Sequence, residues 1–342
     1  MLEIDGSLGE GGGQILRSSL ALSLLTGKPF QLRNIRAKRK PKAGLQPQHL
    51  MSVRAAATIG SAKIAGDSIG SSVLTFEPGP VTPGKYRFAI GTAGATALVL
   101  QTVYLPLAFR TNGPSEVTFE GGTHVTTSPC FHFLDVTWRA YLEKMGVRIR
   151  LEMTRPGFYP RGGGQVVAHI QPASKIQGLM LTQCPPITKV SGFSAVAGLP
   201  DHIAKRQARR AIERFERVGI EAAIETVEWP GGPGSVVGLI LKEPPIPTFF
   251  YGLGDRGKPA EKVADEAVNQ AIAYAEAKSP VDEHSADQIL LPLVLSESQS
   301  EFRVQTVTRH LTTNIAVIKM FIDREIVCEG EEGKPGVVRI GV

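Results

Sequence analysis

The histidines are the first candidates for chemistry, and His310 has the most suitable surroundings of the seven. It lies in the polar run 308–314 (TRHLTTN), between the strand-like segment 302–307 and the apolar segment 315–317. A neutral imidazole there can attack a phosphorus atom, because histidine is a competent covalent nucleophile when the leaving group is activated. No histidine pair has zinc-site spacing, and no Gly-x-Ser-x-Gly elbow occurs. A hydrogen-bonded structural histidine remains the alternative.

A basic segment at 33–42 is the second candidate, with six basic residues in ten positions and no acidic one. A solvated surface usually mixes charges of both signs, so this pattern favours an anion-binding site. His49 opens the next predicted helix, where its ring would meet a phosphate bound by Arg36 and Arg39. The formal net charge of +6 also favours an anionic partner.

Glycine-rich turns are the third candidate, above all GEGGGQ at 9–14. Such a turn before a helix can bind phosphates through backbone N–H groups, although tight packing of helix on strand explains it equally well. Glu10 fits such a turn if a Mg²⁺ ion separates it from the phosphates, or if it is an acid favoured by the helix dipole. The segment 79–86 resembles a P-loop but ends in Tyr86 and contains two prolines, so we reject it.

Helices that follow glycine turns must position these residues. The apolar spacing of 14–25 predicts a buried helix ending near Gly27, and 96–108 predicts another that Pro106 bends or ends. Elsewhere a helical pattern passes through a glycine or glycine-like turn into an alternating strand, as at 50–64, 134–151 and 203–225. This recurrence predicts an α/β fold of repeated β-α-β-α-β units rather than a doubly wound sheet.

The segment 185–277 has a different residue pattern from the rest of the chain. It combines a densely charged predicted helix at 202–217 with the loop-forming sequence PGGPGS at 230–235. We predict a small inserted α/β domain at 185–277 and a discontinuous catalytic domain formed by 1–184 and 278–342. RNA docking through Arg206, Arg209 and Arg210 of the charged helix is a further hypothesis.

The composition excludes several classes of protein. The 342 residues are 42% hydrophobic and 20% charged, which is typical of a globular protein and excludes wholesale disorder. No apolar run approaches the roughly 20 residues needed to cross a bilayer, and the first residues lack the pattern of a signal peptide. The three cysteines fit neither a disulfide framework nor a zinc site. We expect a cytoplasmic protein without a membrane partner.

Six motifs, in order along nearly the whole chain, resemble the RNA 3′-terminal phosphate cyclase family. They are 9–18, 35–37, 44–50, 157–164, 286–288 and 310–317. The first and fourth together are specific, whereas any one alone is weak.

The resemblance implies repeated α/β units with one inserted domain, ATP with Mg²⁺ or Mn²⁺, and RNA 3′ ends that bear a terminal phosphate. It also implies a three-step reaction. A histidine takes AMP from ATP, AMP passes to the RNA 3′-phosphate, and the adjacent 2′-OH closes a 2′,3′-cyclic phosphate.

The resemblance also implies roles for individual residues. His310 corresponds to the adenylylated nucleophile and Glu10 to the metal ligand. The adenylate-binding positions are Gln101, Pro129, His284, Asp287 and Gln288. The positions that bind the RNA terminal phosphate are Arg17, Arg36, Arg39, Gln48 and His49. The sequence departs from the family pattern in four places. His284 stands where a tyrosine often packs on adenine, His124 and Pro156 replace residues usual in the family, and the basic loop has one extra residue.

Two alternatives remain. A branch of the superfamily consists of non-catalytic ribosome-assembly proteins that bind RNA or protein and lack the nucleophilic histidine, whereas this chain has His310. Carboxyvinyl transferases share the repeated α/β architecture but need neither ATP nor an adenylylated histidine. ATP consumption separates both from a cyclase.

Overall fold

Three similar units form most of this computed structural model, which describes residues 1–39 and 42–341. The first unit consists of β1 (Leu2–Asp5), α1 (Gly13–Thr26), β2 (Phe30–Arg33), α2 (Pro47–Ile59), β3 (Lys63–Ala65) and β4 (Leu74–Glu77). The second consists of β5 (Lys85–Ala89), α3 (Thr96–Phe109), β6 (Ser115–Gly121), α4 (Phe131–Phe133), a π-helical turn (Leu134–Trp138), α5 (Arg139–Lys144), β7 (Ile149–Arg155) and β8 (Gly164–Ile170). The third starts at β9 (Met180–Leu181) and resumes, after an insertion, with α8 (Glu283–Leu293), β14 (Ser300–Val304), α9 (Arg309–Phe321), β15 (Ile326–Glu329) and β16 (Gly336–Ile340).

The three units share one sheet topology. In each, the first two strands are parallel, and the fourth strand pairs antiparallel with both the second and the third. The strand orders are β1-β2-β4-β3, β5-β6-β8-β7 and β9-β14-β16-β15. The predicted repeated α/β fold is confirmed, and each unit has one more strand than predicted because its chain ends in an antiparallel pair.

Helix α1 packs against α2, α3 and α9 and is therefore buried on most sides. This burial explains why its sequence is apolar around the whole helix rather than along one stripe. The helix ends where predicted, since Gly27 adopts a left-handed conformation and its N–H donates to the carbonyl of Ser23.

The helices of the second unit follow the prediction in part. Helix α3 spans Thr96–Phe109, close to the predicted 96–108, so Pro106 does not end it. The helical stretch predicted at 134–145 starts at Phe131 and contains the π-helical turn between α4 and α5. Trp138, in that turn, is buried, with its ring in edge-to-face contact with Tyr104 of α3.

The insertion between β9 and α8 has its own sheet. It contains β10 (Lys189–Ala197), α6 (Asp201–Glu216), β11 (Glu221–Trp229), β12 (Gly234–Leu241), β13 (Thr248–Leu253) and α7 (Ala260–Ala277). The strands pair in the order β11-β10-β12-β13, and α6 and α7 pack against them around a cluster that includes Phe215, Phe250 and Tyr274. The domain boundaries at 185–277 stay a prediction.

The arginines of α6 mostly face α7. Arg206 forms a bidentate pair with Glu261 at 2.8 and 2.9 Å, and Asp265 accepts from Arg210 at 2.8 Å and from Arg214 at 2.8 Å. These pairs join the two helices. They argue against the RNA-docking hypothesis, because all three of its arginines already have carboxylate partners: Arg206 and Arg210 on α7, and Arg209 on Glu213 of α6 itself.

Candidate active site

A cavity of about 720 Å³ lies where the first turns of α1, α2, α8 and α9 meet. All twelve site residues predicted from the sequence line this cavity. They are Glu10, Arg17, Arg36, Arg39, Gln48, His49, Gln101, Pro129, His284, Asp287, Gln288 and His310. Helix N-termini carry partial positive charge and free N–H groups, so their convergence favours an anionic ligand.

The glycine-rich turn brings the start of α1 to the cavity wall. Within the described residues, Gly12 precedes α1 without a side-chain cap, so the first N–H groups are available to a ligand. A Cβ atom at Gly13 would lie 2.4 Å from Nε2 of His49 and 2.9 Å from Nη1 of Arg17. Only glycine therefore lets α1 approach both basic side chains this closely.

His310 is in the first turn of α9, which Thr308 caps by accepting a hydrogen bond from the backbone N–H of Leu311. Its side chain is half exposed to the cavity. Nδ1 lies 2.8 Å from Oε1 of Gln14, and Nε2 lies 3.1 Å from Oε2 of Glu10. Both ring nitrogens thus face residues of the glycine-rich turn.

Gln14 connects His310 to Asp287. Its Nε2 donates to Oδ2 of Asp287, which leaves its Oε1 to accept from Nδ1 of His310. Burial raises the pKa of Asp287, while His310, His284 and Arg17 oppose that rise. With Nδ1 protonated, a neutral ring carries its lone pair on Nε2, and that lone pair can serve a ligand only while the Glu10 carboxylate, 3.1 Å away, is engaged by Arg39 or by a cation.

Three arginines form the basic side of the cavity. Arg39 donates to Oε2 of Glu10 at 2.5 Å, and Arg36 donates to the carbonyls of Lys42 and Gly44. Burial lowers the pKa of Arg17 to about 10, against the opposing charges of Glu10 and Asp287. Burial, with the charge of Arg39, also lowers the pKa of Arg36. Positive charge is thus concentrated beside His310, as required to bind phosphate oxygens.

The structure describes only part of the basic segment predicted at 33–42. Lys40 and Pro41 lie outside the described residues. Lys38 donates to the carbonyl of Gly9 at 2.8 Å and so joins the segment to the glycine-rich turn.

His49, in the first turn of α2, is 4% exposed, and within the described residues its Nδ1 has no hydrogen-bond partner. Burial, with smaller contributions from Arg17 and Arg36, lowers the pKa of His49 to about 3. The ring is therefore neutral at neutral pH. A buried nitrogen without a partner, beside two arginines, is well placed for a ligand oxygen.

We expect His49→Gln to flatten the acid side of the stability profile. The folded-state pKa of about 3 lies below the unfolded value of roughly 6.5, so between these values the unfolded chain binds more protons. The free energy of unfolding therefore falls as pH drops below about 6.5, by ~1 kcal/mol for this residue near pH 5.5. Urea denaturation of both proteins at about pH 7.5 and 5.5 measures the difference.

Burial also lowers the pKa of His132 to about 4, but His132 is present in both proteins and cancels from the comparison. Equal losses of stability in the wild type and His49→Gln would show that His49 does not contribute to the acid sensitivity.

The predicted adenylate positions lie on the side of the cavity formed by α3 and α8. Gln101 of α3 donates to Oε1 of Gln288 of α8, which joins the two helices. His284 is exposed, in the first turn of α8, where Asp282 caps the helix by accepting from the N–H groups of His284 and Ser285. Pro129 lies in the loop that leads into α4.

Several residues of the cavity were not predicted. Tyr251, Lys258 and Gln270 reach it from the insertion, and Tyr251 donates to the carbonyl of Ser128 at 2.7 Å. Thr127 lies in the same wall with φ of +61°, a strained conformation for a β-branched residue that often marks a functional site. Gln14 also lines the cavity and was not assigned a role, although it lies inside the glycine-rich motif.

Comparison with known proteins identifies the family of the chain. Residues 8–328 match the model of the family described as RNA 3'-terminal phosphate cyclase. The chain belongs to this family. The predictions of its family and of its being an enzyme are thereby confirmed, and membership implies the use of ATP.

Full-length relatives have the same description. The RNA 3'-terminal phosphate cyclase of Ralstonia nicotianae is 42% identical over 100% of this chain and 97% of the relative. The cyclase of Caldivirga maquilingensis is 42% identical over 95% of this chain and 94% of the relative. The cyclase of Salmonella typhimurium is 39% identical over 97% of this chain and 96% of the relative. The cyclase family therefore accounts for the whole chain rather than for a part of it.

The described residues contain no helix that is both long and apolar enough to cross a membrane. Nor do they contain a group of three or more His, Cys, Asp or Glu side chains arranged to hold a metal ion.

Proposed function

We propose that this enzyme converts an RNA 3′-terminal phosphate into a 2′,3′-cyclic phosphate at the expense of ATP, through an adenylylated His310. The observation that carries the proposal is the position of His310, with Nδ1 bonded to Gln14 and Nε2 in a cavity that Arg17, Arg36 and Arg39 line. A nucleophile and the positive charge needed for phosphoryl oxygens thus share one cavity.

In the first step, Nε2 of His310 attacks the α-phosphorus of ATP. A P–N bond forms, the bond to the β-phosphate oxygen breaks, and pyrophosphate leaves. Because Nδ1 keeps its proton and its bond to Gln14, the adduct carries the positive charge of an imidazolium. A positively charged ring is a good leaving group, so the adduct is activated for the next transfer.

In the second step, an oxygen of the RNA 3′-phosphate attacks the same phosphorus and the P–N bond breaks, which returns the electron pair to Nε2. In the third, the adjacent 2′-OH attacks the RNA phosphorus, AMP leaves, and the hydroxyl proton passes to water. Arg17, Arg36, Arg39, Gln48 and His49 hold the terminal phosphate. The burial of Arg17 supports this role, and so does Nδ1 of His49, which is buried without a partner among the residues that the structure describes.

Glu10, at the glycine-rich turn with its side chain 7% exposed, would offer a divalent cation its Oε1, because its Oε2 accepts from Arg39 and lies 3.1 Å from Nε2 of His310. Mg²⁺ commonly takes one or two carboxylates and completes its coordination with phosphate oxygens and water, which suits a single acidic residue. When bound, Mg²⁺ or Mn²⁺ would neutralise negative charge on the ATP phosphates.

Gln14→Met is expected to slow AMP transfer to His310 about 10- to 100-fold, as loss of an outer hydrogen-bond partner does elsewhere. Methionine keeps the volume but cannot accept from Nδ1, so the ring loses its fixed tautomer and orientation. The KM for ATP should change little, because Gln14 acts through His310. Single-turnover kinetics with labelled ATP measures both quantities.

Gln171→Met is the matched control, because Gln171 is exposed and does not line the cavity. An unchanged transfer rate in Gln14→Met would show that the hydrogen bond from Nδ1 to Gln14 does not orient the nucleophile.

The overall reaction is tested by incubating the protein with ATP, Mg²⁺ and an RNA that bears a labelled 3′-phosphate. We expect the label to become resistant to phosphatase while AMP appears in equal amount. Binding of the RNA with no ATP consumption would instead support the assembly-factor alternative.

A further inference from the structure

The loop between β7 and β8, with the sequence GFYPRGGG at 157–164, takes no part in the mechanism above. Its aromatic residues behave in opposite ways. Phe158 is 5% exposed, whereas Tyr159 is 71% exposed, the highest value among the large hydrophobic side chains of the described residues. Single exposed hydrophobic residues are common on protein surfaces, so the exposure of Tyr159 is not by itself evidence of a binding site. The evidence comes from the contacts that fix its loop.

The loop is anchored on both sides of Tyr159. The ring of Phe158 stacks on His124, with centroids 5.3 Å apart, and also contacts Trp229 of the insertion. Gly162 has φ of +64°, and a Cβ atom there would lie 2.8 Å from Cα of Ala93. The N–H of Gly162 donates to the carbonyl of Phe158 at 2.7 Å. Tyr159 is therefore presented on a fixed backbone, at a low entropic cost of binding.

The same contacts place the loop beside the basic side of the cavity. Gly162 packs against Ala93, and two residues further on the N–H of Ala95 donates to Oε1 of Gln48 at 3.0 Å. Two residues span at most about 7 Å of chain. Gln48 lines the cavity among the residues assigned to the RNA terminal phosphate. The tip of the loop thus lies close to where the RNA would leave the cavity.

The charge of the loop matches a nucleic acid. The segment 153–165 contains Arg155 and Arg161 and no acidic residue, and Arg161 is exposed. By contrast, Arg206 and Arg210 of α6 are paired with carboxylates of α7. Single-stranded RNA is bound by aromatic side chains that stack on bases and by basic side chains that contact the backbone.

We propose that Tyr159 and Arg161 form a subsite for the RNA nucleotides that precede the 3′-terminal one, with a base stacked on Tyr159 and a phosphate on Arg161. This subsite rests on the proposed function, since it uses the same RNA substrate. It makes the enzyme selective for an RNA chain over a mononucleotide that carries the same 3′-phosphate.

The test compares a pentanucleotide with a 3′-phosphate and a nucleoside 3′-phosphate. We expect Tyr159→Ala to raise the KM and the Kd of the pentanucleotide about tenfold. The KM and the Kd of the nucleoside 3′-phosphate should stay unchanged. Tyr159→Phe should restore the wild-type values, because phenylalanine also stacks. Arg161→Ala should weaken pentanucleotide binding and reduce the slope of log K against log salt by about 0.7. Arg217→Ala, an exposed arginine at the far end of α6, is the control.

Two further measurements separate the possible results. AMP labelling of the protein from ATP should be unchanged in Tyr159→Ala and Arg161→Ala, since neither residue lines the cavity. Unchanged pentanucleotide binding in both variants, or an equal loss for pentanucleotide and nucleoside, would overturn the subsite. If the wild type does not cyclise RNA, the proposed function fails, but the subsite can still be tested by measuring RNA binding with fluorescence anisotropy. A specific loss of pentanucleotide binding in Tyr159→Ala would then still support the subsite.

Discussion

His310→Ala is expected to take up no detectable AMP from α-labelled ATP and to lose at least ~10³-fold in cyclisation. Alanine removes the only atom proposed to bond to the α-phosphorus, so no covalent intermediate can form. The wild type should carry a label that is lost in acid and survives alkali, as expected of a phosphoramidate on histidine. Gel analysis after incubation with ATP and Mg²⁺, with and without acid treatment, measures this.

His202→Ala is the matched control, because His202 is an exposed histidine in the first turn of α6 and does not line the cavity. Equal labelling of His310→Ala and the wild type would move the nucleophile to another residue. Labelling of neither protein, with ATP intact, would favour the non-catalytic assembly-factor alternative.

Arg17→Ala is expected to lower RNA cyclisation on the order of 100-fold or more, because it removes a buried charge that we propose pairs with the RNA terminal phosphate. AMP labelling of His310 should persist, since Arg17 is assigned to the RNA and not to ATP. Single-turnover assays of the two half-reactions, one with ATP alone and one with RNA added, measure these effects separately.

Arg17→Lys distinguishes charge from geometry in this prediction. Lysine keeps the positive charge but cannot form the two parallel hydrogen bonds of a guanidinium, so only partial recovery is expected. Loss of labelling together with cyclisation in Arg17→Ala would show instead that Arg17 binds ATP or maintains the site through Glu10 and Asp287.

Much of the local structure was predictable because its determinants are close in the chain. The end of α1 at Gly27 follows from a glycine that adopts a left-handed conformation. The extent of α3 was predicted to within one residue, but whether Pro106 ends the helix was not predictable. The helix is buried against α1, α2 and β6, and tertiary packing outweighs the cost of a proline near its end.

In the candidate site, too, some features were predictable from the sequence and others were not. Its histidine, its arginines and Glu10 were identified from motifs, and the structure brings all of them to one cavity. Gln14 stood inside a recognised motif, yet nothing local indicates that its amide lies between His310 and Asp287, which are distant in sequence. Tyr251 and Lys258 had no motif at all, because their position depends on how the insertion packs on the second unit.

The sequence by itself determined the family, through six motifs in order along the chain, and it indicated a candidate nucleophile, a basic cluster and the helices that start beside them. Only the tertiary structure decided which nitrogen of His310 faces the cavity, which arginines are free for a ligand, and how buried His49 and Asp287 are. The physical reason is that hydrogen-bond partners, ion pairs and burial depend on contacts between residues that lie from tens to hundreds of positions apart in the chain. Such contacts are set by packing and not by local spacing.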